Sequence, residues 1–164
     1  MDLFEAIEKR ASVRQLESAD ISDEDLRKIL DAGRRAPSGR NFQPIEYVVI
    51  ADPATIEKLE RVQPFIAQSS VIIAIVADKS SEYWLEDASA AAENMLLAIT
   101  ALGYASCWVE GTLLRHEEWA KELLGVPEDR RLIILLPIGR PAVTPVQKEK
   151  KPLEDIVHSE RYGT

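Results

Sequence analysis

The chain has 164 residues, with 28 Asp and Glu against 20 Lys and Arg and a formal net charge of −8. So acidic a chain has no basic excess with which to displace counterions from a phosphate backbone, which argues against general nucleic acid binding. Its single cysteine excludes an internal disulfide framework, and its longest apolar runs, 71–77 and 132–138, are too short to cross a bilayer. The expectation is a single domain over residues 1–164, cytoplasmic, with neither nucleic acid nor membrane as partner.

Asp2, with Glu5 three residues on, predicts the cap of a first helix bearing Leu3, Phe4 and Ile7 on one stripe. That helix should end around the run RASVR at 10–14. Two guanidinium groups four apart with a hydroxyl midway could hold one phosphate by charge and hydrogen bonds together. Read alone, such a pair is usually a solvated edge that complements the helix carbonyl dipole. Ser22 with Asp25, and the staple pair Ile21 and Leu26, predict a second helix that stops near Gly33.

The segment APSGRNFQP at 36–44 has two prolines, a glycine and no period, and is predicted to be a loop. A β-branched strand at 47–51 follows, then a short helix opened by Asp52 and Pro53. The run 71–77 is apolar at every position, so it should be a strand buried on both faces. A long alanine-rich helix is predicted over 83–102, at the centre of the domain or of a dimer interface. After Gly103, a third strand at 105–109 leads to Glu110 and Gly111. A helix at 116–124 is closed by Gly125, and 132–138 gives a fourth strand. The segment 140–164 is too polar to form its own core. Alternating helices and strands predict a three-layer sandwich around one sheet, parallel or not.

No GxGxxG and no GxxxxGK[ST] is present, so the usual backbone cradles for dinucleotides and triphosphates are missing. His116 and His158 lie far apart, without metal-ligand spacing, and read as surface residues, so no metal is expected. Cys107 falls inside an apolar strand, where a free thiol is a small core residue, and sequence shows no basic partner for it. Ser38, Asn41 and Gln43 sit on the loop stiffened by Pro37 and Pro44. Side-chain amides offer donor and acceptor side by side, which suits a ring edge with alternating N–H and C=O groups; a turn facing water is the alternative.

Five separated motifs in one order, RASVR, PSGRNFQP, ALGYASCWVEG, PIGRP and KEKKPLEDIVHSERYG, resemble the FMN-dependent nitroreductase family over nearly the whole chain. The resemblance implies an α+β, three-layer α/β/α fold with a central, largely antiparallel four-stranded sheet and a C-terminal extension exchanged with a dimer partner. It also implies a homodimer with FMN at the interface. Carried over by position, Arg10, Ser12 and Arg14 would contact the flavin phosphate and ring edge, and Lys148 and Lys150 would meet the same phosphate. Pro37, Ser38, Asn41 and Gln43 would form the loop on the flavin, part of it from the partner chain. Glu110 and Gly111 would bring backbone to the flavin edge, where a glycine permits close approach.

The activity implied is hydride transfer from NADH or NADPH to bound FMN and then, by a ping-pong mechanism, to nitroaromatic, quinone or similar small-molecule acceptors. No side chain is expected to act as acid or base. The alternatives are a specialised enzyme of the same fold, dehalogenase-like or flavin-modifying, and a non-catalytic flavin-binding or storage protein. Three departures stand out from the family pattern: Ile45 replaces the frequent aromatic after the loop, Lys150 stands where the last basic position is commonly Arg and gives a point charge instead of a fork, and only 80–82 stands where longer members carry a helical segment over the site.

Overall fold

The computed structural model describes residues 1–163. In chain order the elements are α1 (Leu3–Lys9), β1 (Leu16–Glu17), α2 (Asp23–Arg34), β2 (Ile45–Ile50), α3 (Pro53–Lys58), β3 (Val71–Asp78), α4 (Trp84–Ala101), β4 (Ala105–Ser106), α5 (Glu117–Leu124) and β5 (Arg130–Pro141). Each predicted cap is made: the backbone N–H of Glu5 donates to Asp2 at 2.9 Å, that of Asp25 to Ser22 at 3.1 Å and that of Thr55 to Asp52 at 2.9 Å. These bonds satisfy amides that have no partner inside the helix. Gly125 closes α5 in the left-handed region at φ 69°, where a side chain would be strained.

The sheet runs β1-β5-β3-β2, with β4 also on β5, and every pairing between named strands is antiparallel. Pattern had left the direction of the sheet open, and the antiparallel arrangement is the one implied by the family resemblance. There are five strands rather than four, because Leu16 and Glu17 add an edge pair opposite Pro141 and Arg140. A two-residue strand among polar neighbours carries no period that a sequence could show. The third strand is also shorter than its predicted span, with an isolated bridge from Val109 to Leu135 beyond it.

β3 is buried along its apolar length, as a strand covered on both faces must be. Its side chains alternate between two cores: Ile73, Ile75 and Ala77 pack with Ile29, Ala88, Ala92 and Met95 from α2 and α4, whereas Ile72, Ala74 and Val76 pack with Ile56, Leu59, Ile66 and Ala120 on the other face. The three layers follow from that period-2 division. A bulge between Ile75 and Val76 leaves Ile133 of β5 as the extra residue, so Ile133 and Ile134 both reach the α2/α4 side. Among the described residues, no helix is long and apolar enough to cross a membrane.

Candidate functional site

The RASVR run leaves α1 at Arg10, whose N–H caps the carbonyl of Ala6 at 2.9 Å. Ser12 then forms a parallel bridge with Ser106, and the N–H of Val13 donates to the Ser106 carbonyl at 2.9 Å. Val13 is buried with Leu16 and Ala105. With Val13 turned inward, extended backbone turns Ser12 and Arg14 outward together.

The C-terminal segment supplies the other wall. Beyond β5, Ala142 donates its N–H to the Gln15 carbonyl at 2.9 Å, and the Gln147 amide reaches the carbonyls of Ile7 at 3.1 Å and Arg10 at 2.9 Å. Arg10, Ser12, Arg14, Lys148 and Lys150 thereby line one cleft of about 330 Å³, with Ala11, Val146 and Gln147. Four cations face it and no carboxylate lines it. Glu93 lies behind, 3.6 Å from Arg10 Nε, while Arg14, Lys148 and Lys150 form no ion pair among the described residues. Sequence reasoning missed Glu93 and Gln147, for which residue type and spacing carry no signal.

Cys107 belongs to this neighbourhood too. It is 1% exposed, and burial raises its thiol pKa even though Arg14, Ser12 and Arg10 pull it down. The basic partners that sequence did not show are therefore present, but desolvation outweighs them and keeps the thiol protonated.

Glu110 and Gly111 follow the Val109 bridge. Glu110 accepts a hydrogen bond from Trp108 Nε1 at 2.8 Å, which gives that tryptophan an orienting role the sequence did not assign. Around Gly111 nothing lies within 4 Å of the position a Cβ would take. The chain's own packing thus leaves the backbone there open to a ligand.

The loop holding Pro37, Ser38, Asn41 and Gln43 is a shaped turn. Ser38 Oγ accepts from the Gln43 N–H at 3.1 Å, Gly39 donates to Asp87 Oδ1 at 2.9 Å, and Arg40, Asn41 and Gln43 sit in the left-handed region at φ 51°, 59° and 52°. Pro37, Ser38 and Gln43 line a hollow of about 140 Å³ together with Ile45, Tyr47 and Asp87. Gln43 also borders a second hollow of about 390 Å³ that includes Phe42, Ser81 and Arg130. Asn41 lines neither.

None of the loop residues reaches the basic cleft of its own chain. The registers give the reason: Ser106, which bridges Ser12, pairs with Ile138 of β5 opposite Val71, at one end of β3, whereas the loop's Pro44 bonds to Asp78 at the other. Seven residues of strand separate the two, roughly 23 Å.

The family model described as "Putative TM nitroreductase" matches residues 2–163. The chain belongs to the nitroreductase family. It is 37% identical over 150 residues to a "Putative NADH dehydrogenase/NAD(P)H nitroreductase" of Archaeoglobus fulgidus, covering 85% of this chain and 86% of that protein. Among solved structures, this nitroreductase-family chain resembles a protein of the same description from Bacteroides thetaiotaomicron with TM-score 0.90 and 28% identity, covering 98% of each chain. It also resembles an FMN-dependent nitroreductase of Clostridium difficile with TM-score 0.83 and 26% identity, covering 96% of this chain and 98% of that one.

Proposed function

We propose that the protein is an NAD(P)H-dependent FMN oxidoreductase that works as a homodimer and reduces nitroaromatic, quinone or similar small-molecule acceptors by a ping-pong mechanism. The observation that carries the reading is the carboxylate-free cleft in which Arg10, Ser12, Arg14, Lys148 and Lys150 converge. Four cations and a hydroxyl suit a phosphate monoester, and guanidinium groups can bind it in bidentate fashion.

The cleft fits the phosphate of FMN, and the open backbone at Gly111 suits the close approach of a flat ring. When bound, FMN would supply two-electron transfer between a reduced nicotinamide and the acceptor. Arg10, Arg14, Lys148 and Lys150 would hold the phosphate, and the hydroxyl of Ser12 would donate to it. Backbone N–H groups at Glu110 and Gly111 would favour negative charge at the ring edge. No side chain is assigned as acid or base.

The separation of the cleft from the 37–43 loop supports the homodimer reading. A second copy could present its 37–43 loop to the basic cleft of the first, which the loop does not reach within one chain. Exposed apolar residues on α1 (Leu3, Phe4 and Ile7) and on the C-terminal segment (Val146, Leu153 and Ile156) supply surface for that contact and for exchange of the segment between copies.

The test is the absorption spectrum of freshly purified protein before and after anaerobic NADH or NADPH, with the mass of the released chromophore. A yellow protein that releases FMN, bleaches with nicotinamide and recovers its colour with a quinone supports the reading. A protein that stays colourless after incubation with FMN overturns it.

A further inference from the structure

The loop at 37–43 has a shape its own residues do not favour. Three residues other than glycine, Arg40, Asn41 and Gln43, have positive φ, and each such residue is held only where surroundings over-determine it. Within the loop the Gln43 N–H donates to Ser38 Oγ at 3.1 Å, and the remaining surroundings come from the start of α4. Gly39 lies so close to Tyr83 that a Cβ would fall 2.1 Å from ring atom Cδ2, and its N–H donates to Asp87 Oδ1 at 2.9 Å across 48 residues of sequence.

Asp87 is 5% exposed and its second oxygen, Oδ2, is buried without a hydrogen-bond partner among the described residues. A buried carboxylate oxygen left without a donor lowers stability. The same side chain lines the hollow of about 140 Å³ behind Ser38 and Gln43. A residue that is costly to bury and joins the helix to a strained loop does a task that stability alone does not explain.

We propose that Asp87 is a positioning residue for the flavin site: through its bond to the Gly39 N–H it holds the 37–43 loop in the left-handed shape that presents Ser38, Asn41 and Gln43 to the ring. This rests on the proposed role of that loop on FMN. The contact Asp87 makes is with the loop backbone, at the Gly39 N–H. The bond joins the loop to α4 across 48 residues of sequence, which suits a segment that must be ordered before the ligand arrives.

The test is a cycle of FMN dissociation constants for wild type, Asp87→Ala, Gly39→Ala and the double variant, with Asp87→Asn as the conservative replacement and urea midpoints for each. Asp87→Ala should weaken FMN roughly tenfold to a hundredfold. Gly39→Ala, which forces the loop off Tyr83 while leaving Asp87 intact, should do the same. The double variant should be no weaker than the weaker single, because both break one unit. Asp87→Asn, which keeps an acceptor for Gly39, should bind within about threefold of wild type.

FMN affinity unchanged in Asp87→Ala, losses that multiply in the double variant, or Asp87→Asn as weak as Asp87→Ala would each overturn the proposal. If Asp87→Ala does not fold, Gly39→Ala and Asp87→Asn decide the question: a Gly39→Ala protein with wild-type affinity overturns it. Wild-type protein that binds no FMN removes the flavin reading itself, whereas a flavin-loaded wild type with an indifferent Asp87→Ala removes only this inference.

Discussion

The Gln147 side chain donates to the carbonyl of Arg10 at 2.9 Å, so a residue near the C-terminus holds the backbone of the first cation in the cleft. The same amide reaches Ile7 at 3.1 Å. With the Ala142 N–H on the Gln15 carbonyl, that side chain ties together the two segments that carry the charges. Gln147→Ala should weaken FMN by about 1 kcal/mol, roughly fivefold, with little change in unfolding midpoint. Fluorescence titration with FMN checks this, and wild-type affinity would assign the register of Lys148 and Lys150 to other contacts.

Arg10→Ala removes a guanidinium whose Nε is 3.6 Å from Glu93. The loss in FMN affinity should be about 1.5 to 3 kcal/mol, the range for a hydrogen bond to a charged group. Riboflavin, which lacks the phosphate, is the control: its affinity should not change. An equal loss for both flavins would place Arg10 away from the phosphate.

Glu117 is buried at the start of α5, where it accepts from Arg131 Nε at 2.7 Å and Nη2 at 2.8 Å, and from the Leu132 N–H at 3.1 Å. Glu117→Ala would strand a guanidinium and a backbone donor at once. With Arg131 partly open to water, the expected cost is about 2 to 4 kcal/mol, read as a lower urea midpoint. FMN affinity per folded molecule should remain, since neither Glu117 nor Arg131 lines the basic cleft.

Burial pushes the Tyr47 hydroxyl up to about 12 from its model-peptide value of 10.0. The folded state then keeps a proton that the unfolded chain releases at lower pH. This contribution to stability is complete below pH 10 and is lost as pH rises from about 10 towards 12. Urea midpoints at successive pH values should fall across that window, and Tyr47→Phe should flatten that part of the slope. An unchanged slope in the variant would attribute the alkaline loss to other groups.

Deleting the residues after Pro141 removes Lys148 and Lys150 together with the exposed Val146, Leu153 and Ile156. Sedimentation should then report monomer where the full chain reports dimer, and FMN binding should be lost with it. A truncated chain that still dimerises would place the interface on α1 and α4 instead.

Local signals in the sequence agree with much of the fold. Asp2, Ser22 and Asp52 cap their helices because a short acceptor side chain beside a helix start has one local use, and the buried β3 run is apolar at every inward and outward position. Glu5, Asp25 and Thr55 are within three residues of their caps, so no distant contact was needed to read them. β1 is different: Leu16 and Glu17 pair with residues more than 120 positions away, and nothing local marks them.

Of the site, residue types and order pointed to Arg10, Ser12, Arg14, Lys148 and Lys150, and their common cleft became visible only in three dimensions. The sequence alone determined the three long strands, the caps, the acidic balance and the family of the five motifs, since these depend on neighbours along the chain. The tertiary structure decided that the basic residues meet over Gln147, that burial outweighs nearby cations at Cys107, and that Asp87 grips Gly39. It also decided that the loop and the cleft stand at opposite ends of β3. Those relations join residues tens of positions apart, and packing rather than local propensity sets such distances.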